Sequence, residues 1–168
     1  MINKPEVQQL LQLLDNMKVG YVIAGGYPRD IHHGVKPNDL DIFLLAPDQR
    51  QIDAVYLWGE VNGTVLNDGE YEADFSDFLS FKVLSDPKEL KVNIILTRYT
   101  WPEQVWYNFD YNINQYVLKP VIDCDGVKWV SQFVGTHEKE LTDLNPCNVE
   151  RQMKMYEKAK QLGWTFRI

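Results

Sequence analysis

Two acids separated by one residue, Asp39 and Asp41, and two adjacent glycines, Gly25 and Gly26, are the residues of this 168-residue chain whose types and spacing point to chemistry. Residues i and i+2 of an extended strand face the same side. Asp39-Leu40-Asp41 therefore directs two carboxylates to one spot and Leu40 to the other side. Paired hard oxygen donors suit Mg²⁺, which shares its coordination with substrate phosphates. Two such ions clamp an in-line phosphoryl transfer, one activating a hydroxyl and the other steadying the leaving pyrophosphate. The glycines end an apolar stretch, Val19 to Ala24. Lacking a Cβ, they let backbone amides approach an anion closely, and the positive end of a helix beginning there adds to the attraction. A phosphate is the natural guest. Taken singly, a D-x-D is usually a solvated strand edge and a Gly-Gly usually a turn; their order and spacing distinguish them here.

Positioning these residues requires a strand, a turn, a short helix and a second strand. Val19–Ala24 reads as the first strand, Pro28–His33 as a short helix stopped at Gly34, and Asp39–Leu45 as the second strand. Before them, Pro5–Met17 reads as a helix with Val7, Leu10, Leu11 and Leu14 on one face. After them come a helix over Pro47–Trp58 and an acidic, turn-rich stretch over Asn62–Asp74. Strands over Phe75–Val83 and Leu90–Thr97 follow, joined by a turn at Asp86-Pro87-Lys88-Glu89. A short amphipathic segment spans Pro102–Phe109, and Ile113–Pro120 with Lys128–Val130 read as a hairpin across Asp123-Cys124-Asp125-Gly126. A last helix runs from Asn148 to Leu162 and ends at Gly163. The fold class expected is α+β (α/β), with a mixed sheet of about four to five strands and helices mainly on one face.

Composition narrows the setting. Hydrophobic residues make up 45% and charged residues 24%, as in ordinary globular proteins. No apolar run reaches the ~18 residues of a membrane span, and the polar N-terminus does not resemble a signal peptide. Cys124 and Cys147 form no C-x-x-C pair, which disfavours a zinc site, and both are expected reduced in a cytoplasmic protein. The net charge of −7 disfavours a broad electrostatic grip on nucleic acid. Residues 1–118 hold nine Lys+Arg against seventeen Asp+Glu, and residues 119–168 eight against seven. Any RNA contact is thus expected in the C-terminal part.

The run Gly25-Gly26-Tyr27-Pro28-Arg29-Asp30-Ile31-His32-His33-Gly34-Val35-Lys36-Pro37-Asn38-Asp39-Leu40-Asp41 resembles the head-domain signature G-G-x-x-R-D-x-x-x-G-x-x-x-x-D-x-D of CCA-adding enzymes and bacterial poly(A) polymerases, within the DNA polymerase β-like nucleotidyltransferases. All seven fixed positions match without a gap. Asp110-Tyr111-Asn112-Ile113-Asn114-Gln115 is similar to the family's later D-F-T-x-N-A segment, and Leu162-Gly163-Trp164 to the end of its first neck helix. The resemblance implies a polymerase β-like head domain over residues 1–145 and a C-terminal helix like a truncated neck over 146–168. It implies transfer of a nucleoside monophosphate from an NTP to a hydroxyl, with Mg²⁺ held by Asp39 and Asp41 as catalytic and metal-binding residues. Gly25 and Gly26 would cradle the triphosphate. Arg29 would contact phosphate or brace the loop, and Asp30 would orient Arg29 or the helix start. On the residues alone, an internal Arg29–Asp30 salt bridge is as good a reading. Asp110 and Asn114 would line the sugar side, although the same residues also suit a turn cap.

Three departures bear on function. The family's neck, body and tail, which select the base and grip tRNA, have no counterpart after residue 168. Asn93 stands where a third acid often sits in the superfamily. Asn108 and Phe109 replace the paired arginines before the D-F-T segment; Arg98, Lys91 and Lys36 are the candidate substitutes. The acceptor therefore stays open: an RNA or tRNA 3′ end, with a partner protein supplying the grip, or a protein or small molecule as in toxin–antitoxin-like members. A catalytically degenerate nucleotide-binding regulator is the further alternative. His32 and His33, adjacent on a helix, do not share a face and are expected to be structural. The dense aromatics Trp101, Trp106, Tyr107, Phe109, Tyr111 and Tyr116 suit a core better than base stacking, with Tyr107 and Tyr111 the best stacking candidates. The acidic stretch Asp68–Asp77 reads as a solvated loop.

Overall fold

The computed structural model describes residues 2–69, 77–83 and 91–166. In chain order the first elements are α1 (Pro5–Asn16), β1 (Gly20–Ala24), α2 (Gly26–His32), β2 (Asp39–Leu45), α3 (Gln49–Asn62), β3 (Gly63–Gly69), β4 (Asp77–Val83) and β5 (Lys91–Thr97). They are followed by α4 (Glu103–Tyr107), a 3-10 turn (Asn112–Asn114), β6 (Tyr116–Asp123), β7 (Gly126–Phe133), β8 (Glu140–Leu141), α5 (Val149–Gln161) and β9 (Thr165–Phe166). The chain divides into two compact units, one of Met1–Ile23 with Pro37–Pro102 and one of Ala24–Lys36 with Glu103–Ile168. The short segment carrying the glycine turn and α2 thus belongs with the C-terminal half.

The first unit is built on a mixed five-stranded sheet in the order β3-β4-β5-β2-β1. β2 lies parallel to β5 and antiparallel to β1, and β4 is antiparallel to both β5 and β3. This is the α+β class that the pattern predicts. Leu40, Ile42 and Leu44 of β2 and Val92 and Ile94 of β5 share a face by strand alternation and are fully buried, and Phe43 and Ile95 on the opposite face are buried too. Pro5 opens α1, where its missing N–H leaves no bond unmade, and Val7, Leu10, Leu11 and Leu14 are buried. A capping box starts α3: Asp48 accepts from the Gln51 amide while Gln51 Oε1 accepts from the Asp48 amide, both at 2.8 Å. Trp58 Nε1 donates to the Glu6 carbonyl at 3.0 Å, tying α3 to α1.

The turn expected over Asn62–Asp74 is corrected by β3, which pairs antiparallel with β4 from Gly63↔Val83 to Gly69↔Phe78. The β-forming run Thr64-Val65-Leu66 outweighs the glycines and acids around it. Residues 70–76 of the acidic stretch, and the turn expected at Asp86–Glu89, lie outside the described residues. α2 begins at Gly26, earlier than Pro28, and Ile113 sits in the 3-10 turn, not in a strand.

In the second unit β6 and β7 form an antiparallel hairpin from Tyr116↔Phe133 to Asp123↔Gly126. Gly126 turns it at φ 115°, beside an Asp123 carboxylate that accepts from the Asp125 amide at 2.8 Å. Tyr111, Ile113, Tyr116, Leu141, Met155, Ala159 and Trp164 form one buried cluster. Asn112 is fully buried. Its Nδ2 donates to the carbonyls of Thr136, His137 and Glu140, and its Oδ1 accepts from the Thr142 amide. That side chain fixes the loop leading to β8, which pairs in parallel with β9. Asn148 caps α5, accepting from the Arg151 amide at 2.8 Å, and Gly163 ends it at φ 76°. Both cysteines are free thiols. Among the described residues no helix is long and apolar enough to cross a membrane.

Candidate functional site

The two carboxylates lie in the first unit, on the first and third residues of β2, with Leu40 between them fully buried. Asp39 is exposed and Asp41 half-buried. Across the parallel pair Asp41 is in register with Asn93, and Asn93 Nδ2 donates to Asp41 Oδ1 at 2.8 Å. The amide fixes the orientation of that carboxylate without adding charge. Among the described residues no group of three or more His, Cys, Asp or Glu side chains is placed to hold a metal ion. The acid pair is therefore a two-carboxylate arrangement there. Two like charges on one strand face repel one another unless an opposite charge offsets them.

The glycine turn lies in the second unit. Gly25 adopts φ 89° and ψ −136°, a conformation that L residues with a Cβ rarely enter. Its amide donates to the Tyr116 carbonyl at 3.0 Å. Gly25 thus contributes the shape of the turn, and its N–H is directed inward. The Gly26 amide stands at the start of α2. A Cβ on Gly26 would come 3.3 Å from Arg29 Nη2, so the absence of a side chain there lets the guanidinium pack against the turn.

Arg29, Asp30, Asp110 and Asn114 come together inside this unit. Arg29 Nε donates to Asp30 Oδ1 at 2.8 Å and Arg29 Nη1 to Asn114 Oδ1 at 2.7 Å. Asn114 Nδ2 continues to Asp110 Oδ1 at 3.2 Å and also meets Met155 Sδ. Two cations of α5 close the chain of contacts: Lys158 Nζ lies 3.4 Å from Asp30 Oδ1 and Arg151 Nε 2.7 Å from Asp110 Oδ2. Arg151, Met155 and Lys158 share one face of the helix at i, i+4 and i+7. The side chains of Arg29 and Asp30 are 9% and 5% exposed. The arrangement is a buried brace joining α2, the 3-10 turn and α5. The three α5 residues went unnoticed in the sequence; the only signal was their helical spacing.

The aromatics divide by exposure. Trp106, Tyr111 and Tyr116 are buried, while Trp101 and Tyr107 are 68% and 64% exposed. Tyr111 is thus corrected as a stacking candidate, because its ring fills the core. Burial and the hydrogen bond to Glu138 push the Tyr116 phenol well above its usual range. His33 Nδ1 bonds the Arg29 carbonyl at 2.7 Å, and Trp164 Nε1 donates to His33 Nε2 at 3.0 Å. Only the neutral Nδ1–H tautomer satisfies both partners. His32 stacks near Tyr116 and lies 3.6 Å from Glu138. Asn108, at one of the positions lacking arginine, donates to the Gln104 carbonyl at 2.7 Å.

No protein-family profile matches the sequence, and no curated protein matches it. Solved structures do. A CCA-adding enzyme in complex with ATP superposes with a TM-score of 0.62 at 17% identity, over 98% of this chain and 40% of the other. The Thermotoga maritima CCA-adding enzyme complexed with tRNA gives 0.62 at 16% identity over 98% and 40%. A tRNA-processing enzyme in its apo form gives 0.63 at 18% identity over 98% and 44%. The likeness at these identities is one of fold: the chain shares the α+β fold of the matched part of these enzymes. It spans about 40% of the length of the CCA-adding enzymes it matches.

Proposed function

We propose that this protein is a nucleotidyltransferase that moves a nucleoside monophosphate from an NTP to a hydroxyl acceptor and releases pyrophosphate. One observation carries the reading: the ungapped glycine–arginine–aspartate signature begins directly after β1 and runs through the turn and α2 into β2 of a fold shared with CCA-adding enzymes. Asp39 and Asp41 fit Mg²⁺ in kind, being hard oxygen donors on one strand face, with Asp41 oriented by Asn93. When bound, the ion supplies activation of the acceptor hydroxyl and charge neutralisation at the phosphoryl group. The Gly26 amide and the start of α2 take the triphosphate, Gly25 shapes the turn, and Asp110 and Asn114 line the sugar side. Arg29 and Asp30 hold Asn114 in place.

An RNA 3′ end as acceptor is supported by the tRNA complexes among the solved relatives in fold. Charge favours a second form of the reading. The first unit carries seven Lys+Arg against fourteen Asp+Glu and the second ten against ten. Neither holds the basic excess with which a protein grips a long RNA. A smaller acceptor, a protein side chain, or RNA presented by a partner protein fits that balance.

The test is incubation of the protein with Mg²⁺ and each labelled NTP, with total tRNA or the protein itself as acceptor, beside the Asp39→Ala/Asp41→Ala double variant. Label on RNA lost in the variant is expected for a terminal transferase and identifies its base. Label on protein selects nucleotidylation of a protein. NTP binding without label on any acceptor, tRNA, protein or small hydroxyl compound, would defeat the transferase reading in favour of a binding-only regulator.

A further inference from the structure

The β6/β7 hairpin carries a sheet edge with which no other strand pairs among the described residues. β7 is the last strand in its sheet and its one strand neighbour is β6. The outer row of N–H and C=O groups on such a strand is a template for one more strand. Exposed edges are normally short, or blunted by proline, a bulge or several charges. β7 runs for eight residues from Gly126 to Phe133, with no proline, Lys128 as its one charge and an unbroken register against β6.

The side chains add an apolar surface to that edge. Ile122 and Val127 face one another across the hairpin and are 81% and 61% exposed. Alternation puts Pro120, Ile122, Val127 and Trp129 on one face, which carries no charge, and Lys119, Val121, Lys128 and Val130 on the other. The inner end of the hairpin is already occupied. Ser131 Oγ donates to the Pro28 carbonyl of α2 at 2.6 Å, and the Phe133 ring packs against Tyr116 and Trp164.

We infer that β7 is a dimerisation edge, on which a second copy of this chain pairs its own β7 antiparallel across a two-fold axis. Such a contact is self-complementary: residue i meets residue j of the second copy, and j meets i. An axis normal to the sheet keeps each hairpin face on its own side, so the allowed registers differ by steps of two residues. Charge selects among them. Centred on Trp129, the pairing sets Trp129 against its own copy, Val127 against Ser131 and Lys128 against Val130, and it spans residues 126–132. One step toward the turn sets Lys128 against Lys128, a destabilising like-charge pair. One step the other way carries the pairing onto the occupied inner end at Phe133. In the centred register the charge-free faces of the two hairpins join into one apolar surface, and main-chain hydrogen bonds supply affinity. An interface of one strand pair falls at the small end of the range around ~800 Å² per partner, which suits a micromolar dimer. No residue of β7 belongs to the nucleotidyltransferase site, so the dimer stands independently of that reading.

Sedimentation equilibrium of the full chain in reducing buffer, across the micromolar range, tests it with wild type, Val130→Glu and Val130→Lys. Wild type is expected to pass from monomer to dimer. Both variants lose the valine, so the comparison between them reads the charge that faces Lys128 of the second copy. Val130→Glu should associate more tightly than Val130→Lys by about tenfold, since two attractive cross-strand pairs replace two repulsive ones. Lys119 faces residue 130 within the hairpin, and melting of the dilute monomers measures that internal effect separately. A wild type that stays monomeric throughout overturns the inference. So does a dimer in which Val130→Glu associates no more tightly than Val130→Lys. A dimer that forms only without reductant runs through Cys124 or Cys147 and overturns it as well. Should Val130→Lys fail to melt cooperatively, Val130→Glu decides against wild type, with tighter association expected and weaker association overturning the register.

Discussion

Asn93 Nδ2 donates a 2.8 Å hydrogen bond to Asp41 Oδ1 across the parallel β2/β5 pair, so a neutral amide occupies the place from which a third carboxylate would face the acid pair. The hydrogen bond orients Asp41 and lowers the repulsion that three acids would experience without a cation.

Asn93→Asp is therefore expected to destabilise the protein in the absence of divalent ions, by about 1–3 kcal/mol, since a donor to Asp41 becomes a like charge. Saturating Mg²⁺ should recover most of that loss, because the enlarged acid cluster binds the cation more tightly than the native pair and binding to the folded state stabilises it. Thermal melting with and without Mg²⁺ measures both effects. Equal Mg²⁺ stabilisation of wild type and variant would show that residue 93 does not face the cation.

The Arg29–Asp30 pair makes a different demand. Both side chains are nearly excluded from solvent and each partner is engaged again, Arg29 by Asn114 and Asp30 by Lys158. Removing one member leaves the other charge buried, so Arg29→Ala or Asp30→Ala should cost about 3–5 kcal/mol in urea unfolding. An exposed phosphate ligand would lose nucleotide affinity with little change in stability, so a stable Arg29→Ala would restore the contact role.

How much of this was legible differs by residue. Asp39, Leu40 and Asp41 obey a two-residue period, and strand alternation alone placed the acids on one side and Leu40 in the core. The glycine–helix–strand order was equally local. Partners far along the chain were not legible. Asn93 lies 52 residues from Asp41 and Asn114 lies 85 from Arg29, and nothing in a single sequence specifies that register. The same holds for Arg151, Met155 and Lys158. Their spacing announces a helix face but not what the face meets. β3 was missed because Gly63, Asn67 and Gly69 outweighed the apolar run between them, and pairing with β4 decided the matter.

Alkaline titration separates buried from solvated phenols. Burial, with the nearby Asp15 charge, pushes Tyr21 up to about 12 from 10.0. Tyr111 and Tyr116 are pushed higher still, burial being the larger cause in each. A raised phenol favours the folded state while the ring is neutral. That contribution is complete below the unfolded value near 10 and is lost as pH rises through the folded values. Of nine tyrosines, Tyr111 and Tyr116 should give their phenolate absorbance only together with loss of the far-ultraviolet helical signal. Phenylalanine at both positions should remove that late phase and leave an early phase unchanged.

Gly25 and Gly26 look alike in sequence and should respond oppositely in degree to alanine. Gly25 stands at φ 89° and ψ −136°, so a Cβ there forces the turn out of a glycine-only region at a cost of about 1–3 kcal/mol. The Gly25 N–H bond to the Tyr116 carbonyl, 3.0 Å long, is then strained as well. Gly26 is the first residue of α2 and lies outside the positive-φ region. Alanine there gains up to ~1 kcal/mol of helix propensity. Against that gain stands a Cβ 3.3 Å from Arg29 Nη2, which must yield by a few tenths of an ångström although its guanidinium is bonded on both sides. Gly26→Ala should thus fall within about 1 kcal/mol of wild type in urea unfolding, with Gly25→Ala clearly lower. Nucleotide affinity should follow the reverse order of concern, since Gly26 is the first residue of α2, where an amide has no acceptor within the helix, and a methyl beside it crowds an incoming phosphate. A Gly26→Ala protein that is stable but binds ATP as wild type does would remove the turn from the triphosphate site.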